Sequence, residues 1–384
     1  DYQTAIKMGL ARYLIVPYAG DDAFTLKALK NLNPSKFDFD PDYYFYGGGF
    51  IYTCAAALFI ADKLNLIELV NKVEFYLEKP NEIGKIYLLL RYLVIFFTSL
   101  GVLLLFIVSR EIGGIFFSYL SSFLLLINPE TIASSHAIEP HSFVLPFFLL
   151  AIFFSLKFLK TKKDLNLILF GLFSGIAIGT QITSVYLVFV FFYIQYKNFT
   201  NHLSFKEISK EFFKYFISLL IVFFIINPYF IINYHSVIEN FFIGINNLDV
   251  NNQSNNFNKF WASYQISIFL LLLFLISFIY SYLFLKDEKI RLLLSLILPS
   301  ILIYFLLGQI MQYVYSSLAI FSLLSGLTII NILKKFTKTK KLIFISLFFC
   351  LFFISTITRS FFYYMNYIYD NKLVASNWVN KNIE

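Results

Sequence analysis

The sequence carries little charge for its length. Asp, Glu, Lys and Arg make up 14% of the 384 residues, whereas about a quarter of the residues in a soluble protein are charged. Hydrophobic residues make up 59%, and they occur in runs long enough to cross a bilayer, which takes roughly 20 residues per helix. This composition excludes a soluble globular protein and predicts an all-α polytopic membrane protein.

Signatures of several other functional classes are missing. The sequence has no Walker A loop and no GxGxxG motif, and its loops are too short for a nucleotide-binding domain. It has no charge rings or carbonyl-filter sequence of a channel, and no internal repeat of the kind that builds many transporters. Cys54 and Cys350 lie in apolar surroundings without metal-ligand spacing, so neither a disulfide framework nor a cysteine metal site is expected.

The net charge of +8 comes from lysines and arginines in short loops between apolar runs. These loops fall on one side of the predicted bundle, and Lys259 is the only cation in the loops of the opposite side. The positive-inside rule therefore places the basic loops in the cytoplasm. A basic surface for nucleic acid is not predicted.

The apolar runs predict ten membrane spans, and the basic segment Ser204 to Lys214 resembles an amphipathic helix on the cytoplasmic face. The predicted spans cover approximately residues 86–109, 112–128, 142–159, 167–181, 182–196, 213–232, 264–285, 292–308, 314–333 and 342–359.

Alternation of these spans divides the chain into three regions. Residues 1–85 form a first extracytoplasmic loop, 86–359 a transmembrane bundle, and 360–384 the start of a truncated extracytoplasmic region. A preceding span, the eleventh, is expected because an outside head needs one. The apolar stretch Tyr46 to Leu64 is interpreted, with Leu64 to Leu77, as outer-face interfacial helices, since counting it as a span would invert every later loop.

Asp21 and Asp22 are the most informative residues of the polar head. A charge beside a bilayer is costly to desolvate, so an acidic pair at the mouth of a helical bundle indicates a functional use. A carboxylate here would accept a proton from an incoming hydroxyl or, with its neighbour, hold a divalent cation. The alternative is a helix start, because acidic residues are common at N-caps and in first turns.

A second cluster, Ser135 to His141, lies in the loop between the second and third predicted spans. His136 and His141 flank Glu139, and a histidine can donate a hydrogen bond to a phosphate oxygen. The alternative is a plain interfacial loop with a helix that starts near Pro140. The spacing is a weak metal motif because the segment is short and lacks cysteine.

Two arginines are predicted at the outer ends of spans, at the level of the acidic pair. They are Arg91 in the first predicted span and Arg359 in the last. A membrane arginine either extends its side chain to the interface or pairs with an anion. Both would suit an anionic lipid headgroup.

Together these motifs resemble the GT-C fold glycosyltransferases of the dolichyl-phosphate-mannose protein mannosyltransferase type, including bacterial relatives that use polyprenyl-phosphate sugars. Asp21-Asp22 is similar to the acidic pair of that family's first outer loop, usually Asp-Glu, and Arg91 matches an arginine early in the next span. Other similar segments are Asn33-Pro34, Asp40-Pro41, Tyr46-Gly47-Gly48, Ser135 to His141, Asn227-Pro228 and Ala375 to Asn382.

The resemblance implies a GT-C helical bundle of eleven spans, ten of them in this chain, with an outer catalytic face and a lipid-linked donor. The chain also departs from the family. Gln312-Tyr313 stands where the family often has Arg-Tyr, and Gln181 stands near the position of a lysine. Glu139 and His141 compete for the place of an acidic residue in the second loop. The resemblance therefore implies Gln312 and Tyr313 only as candidates for binding the donor headgroup.

These observations lead to the hypothesis of an inverting glycosyltransferase in a bacterial cytoplasmic membrane. Asp21 would be the base, and Asp22 would orient it or share a divalent cation, Mg²⁺ or Mn²⁺. Arg91, His136 and Arg359 would stabilise the leaving phosphate. The expected partners are a polyprenyl-phosphate sugar donor, membrane lipids and a protein or glycolipid acceptor. The alternatives are a lipid-linked oligosaccharide ligase, polymerase or flippase, or an inert membrane subunit.

Overall fold

The computed structural model describes residues 22–240, 268–306 and 315–337, together with residues 339, 340, 343 and 345. These residues form helices and connecting loops, with an isolated β-bridge between Asn33 and Asp38. The first helices are α1 (Asp22–Asn31), α2 (Gly48–Lys63), α3 (Val73–Glu78), α4 (Pro80–Gly113), α5 (Ile115–Leu126), α6 (Pro129–His136), α7 (Pro140–Phe143) and α8 (Leu145–Thr161). They are followed by α9 (Asp164–Thr180), α10 (Val188–Thr200), α11 (Phe205–Ile226), α12 (Tyr229–Ile232), α13 (Ile268–Phe284), α14 (Glu288–Leu306) and α15 (Tyr315–Lys334). Short 3-10 helices cover Pro34–Lys36 and Ile182–Leu187.

The predicted all-α membrane class is confirmed. Within the described residues, each predicted span up to residue 333 falls on one helix or on consecutive helices, whereas residues 343 and 345 are the only described ones of the tenth, 342–359. Among the described residues, three helical segments are long and apolar enough to cross a membrane: Asn81–Gly113, Pro140–Thr161 and Tyr315–Lys334. A fourth results if α5 and α6, bent by 61°, form one broken span. The count of ten remains a prediction.

The segment around Ser204 differs from the sequence prediction. It is not a separate interfacial helix, because residues 205–214 are the first half of the continuous helix α11. Ser204 and Glu207 form a capping box, in which each side chain binds the backbone N–H of the other residue, and this fixes where the helix begins. The helix ends at Ile226 rather than near residue 232, because Pro228 cannot continue it.

A small core holds α1 and α2 against the first half of α4. Its fully buried side chains are Ala28, Phe50, Ile51, Cys54, Leu90, Val94, Ile138 and Phe143. Burying an aliphatic or aromatic side chain contributes about 1.5–3 kcal/mol, so this core holds the N-terminal described segment on the bundle. Burial also raises the pKa of the free Cys54 thiol.

Three consecutive glycines let α2 begin in direct contact with two other helices. A Cβ atom on Gly47 would overlap the backbone of Gly179 at the end of α9, and one on Gly48 would overlap the carbonyl of Ile226 at the end of α11. Asn227 closes the junction: its Oδ1 accepts from Gly48 N at 2.7 Å, and its Nδ2 donates to Gly179 O at 3.1 Å. The positive end of α2 therefore faces the negative ends of α9 and α11, which is the favourable arrangement of helix dipoles.

Candidate active site

Asp22 is the first residue of α1 and is fully buried. Its Oδ1 accepts the backbone N–H of Ile138 at 2.7 Å, and its Oδ2 lies 3.2 Å from Nη2 of Arg91. Thr25, one turn later, donates from Oγ1 to the carbonyl of Ile138 at 2.7 Å. Both backbone groups of Ile138 are thus bound by α1, which fixes the loop between α6 and α7 beside the start of α1.

Arg91 lies three turns into α4, and 22% of its side chain is exposed. Its guanidinium stands 5.9 Å from the ring centre of Tyr87, one turn earlier on the same helix. A guanidinium has five N–H donors, so one contact with Asp22 does not use all of its capacity. Arg91 is predicted at the same membrane level as the acidic pair, and the structure shows it in direct contact with Asp22.

Glu139 and His141 form a buried pair next to Ile138. His141 Nδ1 accepts a hydrogen bond from Gln181 Nε2 at 2.8 Å, which leaves its proton on Nε2, 3.4 Å from Glu139 Oε2. The ring of Tyr46 meets the His141 ring edge to face at 6.1 Å. Since Tyr46 precedes the glycine junction, the first and second loops and the end of α9 meet at this corner.

His136 is separate from that pair. It ends α6 with an exposed side chain, and its Nδ1 lies 2.7 Å from the carbonyl of Ile132. A carbonyl only accepts, so Nδ1 carries a proton there. Contact of His136 with a phosphate would therefore use Nε2 and require the imidazolium form.

A polar clamp fixes the segment between α1 and α2. Tyr44 donates to Asp40 Oδ1 at 2.8 Å, and Asp40 also accepts from Asn233. Tyr229 accepts the backbone N–H of Phe39 at 2.9 Å. Burial and the hydrogen bond to Asp40 raise the pKa of Tyr44, so the phenol remains a donor at any working pH. The first loop is thereby tied to α12.

Glu130 is a buried acidic residue that the sequence analysis did not single out. It stands in the first turn of α6, where Asn128 caps its backbone N–H at 3.0 Å, and Ser134 donates to its carboxylate at 3.0 Å. In the sequence, Asn128-Pro129-Glu130 has the ordinary pattern of a helix start. Burial of the side chain is the distinguishing feature, and it is visible only in the fold.

The predicted site residues are thus divided. Asp22, Arg91, Glu139 and His141 are brought together, while His136 lies at the exposed end of α6. Asp21, Gln312, Tyr313 and Arg359 lie outside the described residues. Within the part of the chain that the structure describes, no group of three His, Cys, Asp or Glu side chains is arranged to hold a metal ion.

Comparison with known proteins agrees with this architecture. The family model of dolichyl-phosphate-mannose-protein mannosyltransferases matches residues 58–240, a little under half of the chain. The oligosaccharyltransferase of Archaeoglobus fulgidus superposes with a TM-score of 0.55 at 12% identity, over 94% of this chain and 55% of that protein. ArnT from Cupriavidus metallidurans gives 0.51 at 11% identity, over 90% of this chain and 63% of ArnT. The protein has the GT-C fold.

The predicted resemblance to GT-C glycosyltransferases of the mannosyltransferase type is thereby confirmed. The chain spans less than two thirds of either solved GT-C protein. That ArnT structure contains undecaprenyl phosphate, and a second structure of the archaeal enzyme, with a TM-score of 0.52 at 12% identity, contains dolichol-phosphate and an inhibitory peptide. No curated protein sequence matches the chain.

Proposed function

We propose that this GT-C protein is an integral membrane glycosyltransferase. It transfers a sugar from a polyprenyl-phosphate donor to an acceptor hydroxyl on the extracytoplasmic side of a bacterial cytoplasmic membrane, with inversion. The acceptor is a protein or a glycolipid. The observation that supports this most is the attachment of Asp22 to Arg91 and Ile138, which joins the start of α1 to the second loop.

The contacts of Asp22 separate the roles of the two acids. One of its oxygens is hydrogen-bonded to Ile138 and the other is paired with Arg91. Protonation of Asp22 during a reaction would weaken that ion pair, so Asp22 is better suited to positioning. The base is then its neighbour Asp21, which takes the proton of the acceptor hydroxyl.

The reaction is a direct displacement. The deprotonated acceptor oxygen attacks the anomeric carbon, the bond from that carbon to the lipid phosphate breaks, and the phosphate leaves with the bonding electrons. The configuration inverts because attack and departure occur on opposite faces of the sugar. Charge develops on the phosphate, so N–H donors from Arg91, and from His136 in its protonated form, would stabilise it. Arg359, Gln312 and Tyr313 remain proposed contacts of the same headgroup.

A metal ion has little support from the described residues. Both oxygens of Asp22 are already engaged, and no described acidic or histidine cluster supplies a further set of ligands. If Mg²⁺ or Mn²⁺ binds, Asp21 would be its main ligand.

Transfer of radiolabelled sugar tests the proposal. The full-length protein would be placed in proteoliposomes with a panel of polyprenyl-phosphate sugars. Asp21→Asn should lower turnover by about 10²–10⁴-fold, the usual contribution of general base catalysis. Asp42→Asn is the matched control, because Asp42 is an exposed carboxylate of the same loop. Near-normal transfer by the Asp21→Asn variant would refute the assignment of the base.

A second candidate is transfer of a whole lipid-linked oligosaccharide, favoured by the structural similarity to the archaeal oligosaccharyltransferase. The donor panel separates the two reactions. Turnover of lipid-linked oligosaccharides, with none of any monosaccharide donor, would favour a ligase. No turnover of either donor class by a folded protein would point to a flippase or an inert subunit.

A further inference from the structure

An apolar groove with a cationic end lies between α9 and α11. Its volume is about 710 Å³, and its apolar walls include Leu172, Phe213 and Ile217. Lys206 and Lys210 line the end nearest the start of α11, with Lys214 one turn further along. Lys210 and Asn227 are separated by roughly 25 Å along the helix. The groove therefore lies towards the opposite end of α11 from the glycine junction and the Asp22 corner.

The charges of α11 are sorted by face. Lys206, Lys210 and Lys214 follow at intervals of four residues, which places them on one face of the helix. The acidic residues of the same segment are engaged elsewhere: Glu207 caps Ser204, and Glu211 accepts hydrogen bonds from Gln195 at 2.9 Å and Asn198 at 2.6 Å. The charged residues that line the groove are thus all cations.

Within the part of the chain that the structure describes, one of these three lysines is neutralised by a neighbour. Lys214 pairs with Asp164 at the start of α9, whereas no carboxylate among the described residues pairs with Lys206 or Lys210. Lysines that only extend towards the membrane surface need no groove beside them. Here two uncompensated ammonium groups stand at the end of an apolar channel that runs along the helix.

We propose that this groove binds an anionic membrane phospholipid. The phosphate contacts Lys206 and Lys210, and an acyl chain lies against Phe213 and Ile217. Charge complementarity selects an anionic headgroup, and basic pockets between membrane helices are known to bind such headgroups. The apolar length of the groove favours a lipid over a free phosphate. This site is independent of the catalytic proposal.

Photocrosslinking tests the site. The full-length protein is reconstituted in phosphatidylcholine vesicles that contain a small fraction of photoreactive phosphatidylglycerol, and crosslinked peptides are mapped by mass spectrometry. We expect crosslinks on α11, displaced by unlabelled phosphatidylglycerol. A lysine near a membrane surface contributes about fivefold to anionic lipid binding, so Lys206→Gln with Lys210→Gln should weaken it by about 30-fold.

The matched control is Lys160→Gln with Lys334→Gln, which removes two exposed lysines from the last turns of α8 and α15. It should leave the α11 crosslinks unchanged. Ile217→Trp fills the groove and keeps both cations, so it should also reduce them.

Three results would overturn the proposal. Equal losses in the two double variants would indicate general attraction to basic loops. Equal crosslinking by photoreactive phosphatidylcholine would remove the headgroup selectivity. Displacement by inorganic phosphate as effective as that by phosphatidylglycerol would mean a phosphate site rather than a lipid site.

Discussion

Replacement of Arg91 by glutamine should loosen the attachment of α1 to the bundle. Asp22 is fully buried, and its Oδ2 lies 3.2 Å from Arg91 Nη2, so the variant leaves a buried carboxylate without this cation. Loss of one partner of a buried ion pair costs about 3–5 kcal/mol. Arg91 is 22% exposed, and water therefore solvates part of the remaining charge. We expect a cost of about 2–3 kcal/mol.

Hydrogen exchange at Ile138 is the assay that reports this contact most directly, because its amide donates to Asp22 Oδ1. If α1 opens locally, a cost of about 2–3 kcal/mol corresponds to exchange about 30- to 150-fold faster. Arg110→Gln, an exposed position near the other end of α4, should leave the rate unchanged. The free-energy cost of combining Asp22→Asn with Arg91→Gln should be smaller than the sum of the costs of the two single variants.

Either of two results would show that Arg91 does not hold Asp22 in place. The first is a rate of exchange at Ile138 in the Arg91→Gln variant that stays within about threefold of the native rate, far below the expected increase. The second is a free-energy cost of the double variant equal to the sum of the costs of the single variants, which would mean that Arg91 and Asp22 do not interact.

Three further predictions concern the junction and the acidic pair. Gly48→Ala should lower the melting temperature by several degrees, because overpacking costs about 1–3 kcal/mol and its Cβ would overlap the last carbonyl of α11. Gly84→Ala should leave the melting temperature unchanged, because nothing lies within 4 Å of the added Cβ. Equal effects of the two variants would mean that the close approach of Gly48 to α11 does not contribute to stability. Asn227→Ala should cost about 1–3 kcal/mol by leaving the buried Gly48 N–H unpaired, and an unchanged melting temperature would contradict this. In the transfer assay Asp22→Asn should retain more activity than Asp21→Asn, since the amide oxygen of the introduced asparagine still accepts from Ile138, and the reverse order would exchange their roles.

The helices could be predicted because apolar runs depend only on local sequence. The described residues of nine predicted spans fall on helices for that reason. The predicted span 213–232 differs from α11 at both ends because local chemistry competes with hydropathy. The helix begins at Phe205, after the capping box, and ends at Ile226, before Pro228. Charge in the first half of α11 predicts a helix on the cytoplasmic face, and in the structure this charged half continues into the apolar half as one helix.

The contacts within the site could be predicted only in part. Arg91 is predicted at the outer end of a span, at the same membrane level as the acidic pair, and in the structure it contacts Asp22. The bond from Ile138 to Asp22 spans 116 positions, and no periodicity encodes such a pairing. Glu130 was missed because its sequence context is that of an ordinary helix start. The three glycines admit the backbones of α9 and α11, a close approach between distant segments that no local pattern predicts.

The position of Asp22 also distinguishes the two interpretations of the acidic pair. A first-turn acid that only complements a helix dipole is usually exposed and contributes about 0.3–1 kcal/mol. Asp22 is instead buried, ion-paired and bonded to a loop far along the chain, an arrangement that holds the start of α1 on the bundle. Functional groups need such support, because a catalytic side chain must be held close to its productive geometry. Burial and pairing thus give Asp22 a structural use beyond that of a helix start, and a chemical role for Asp21 is the part of the proposal that the transfer assay tests.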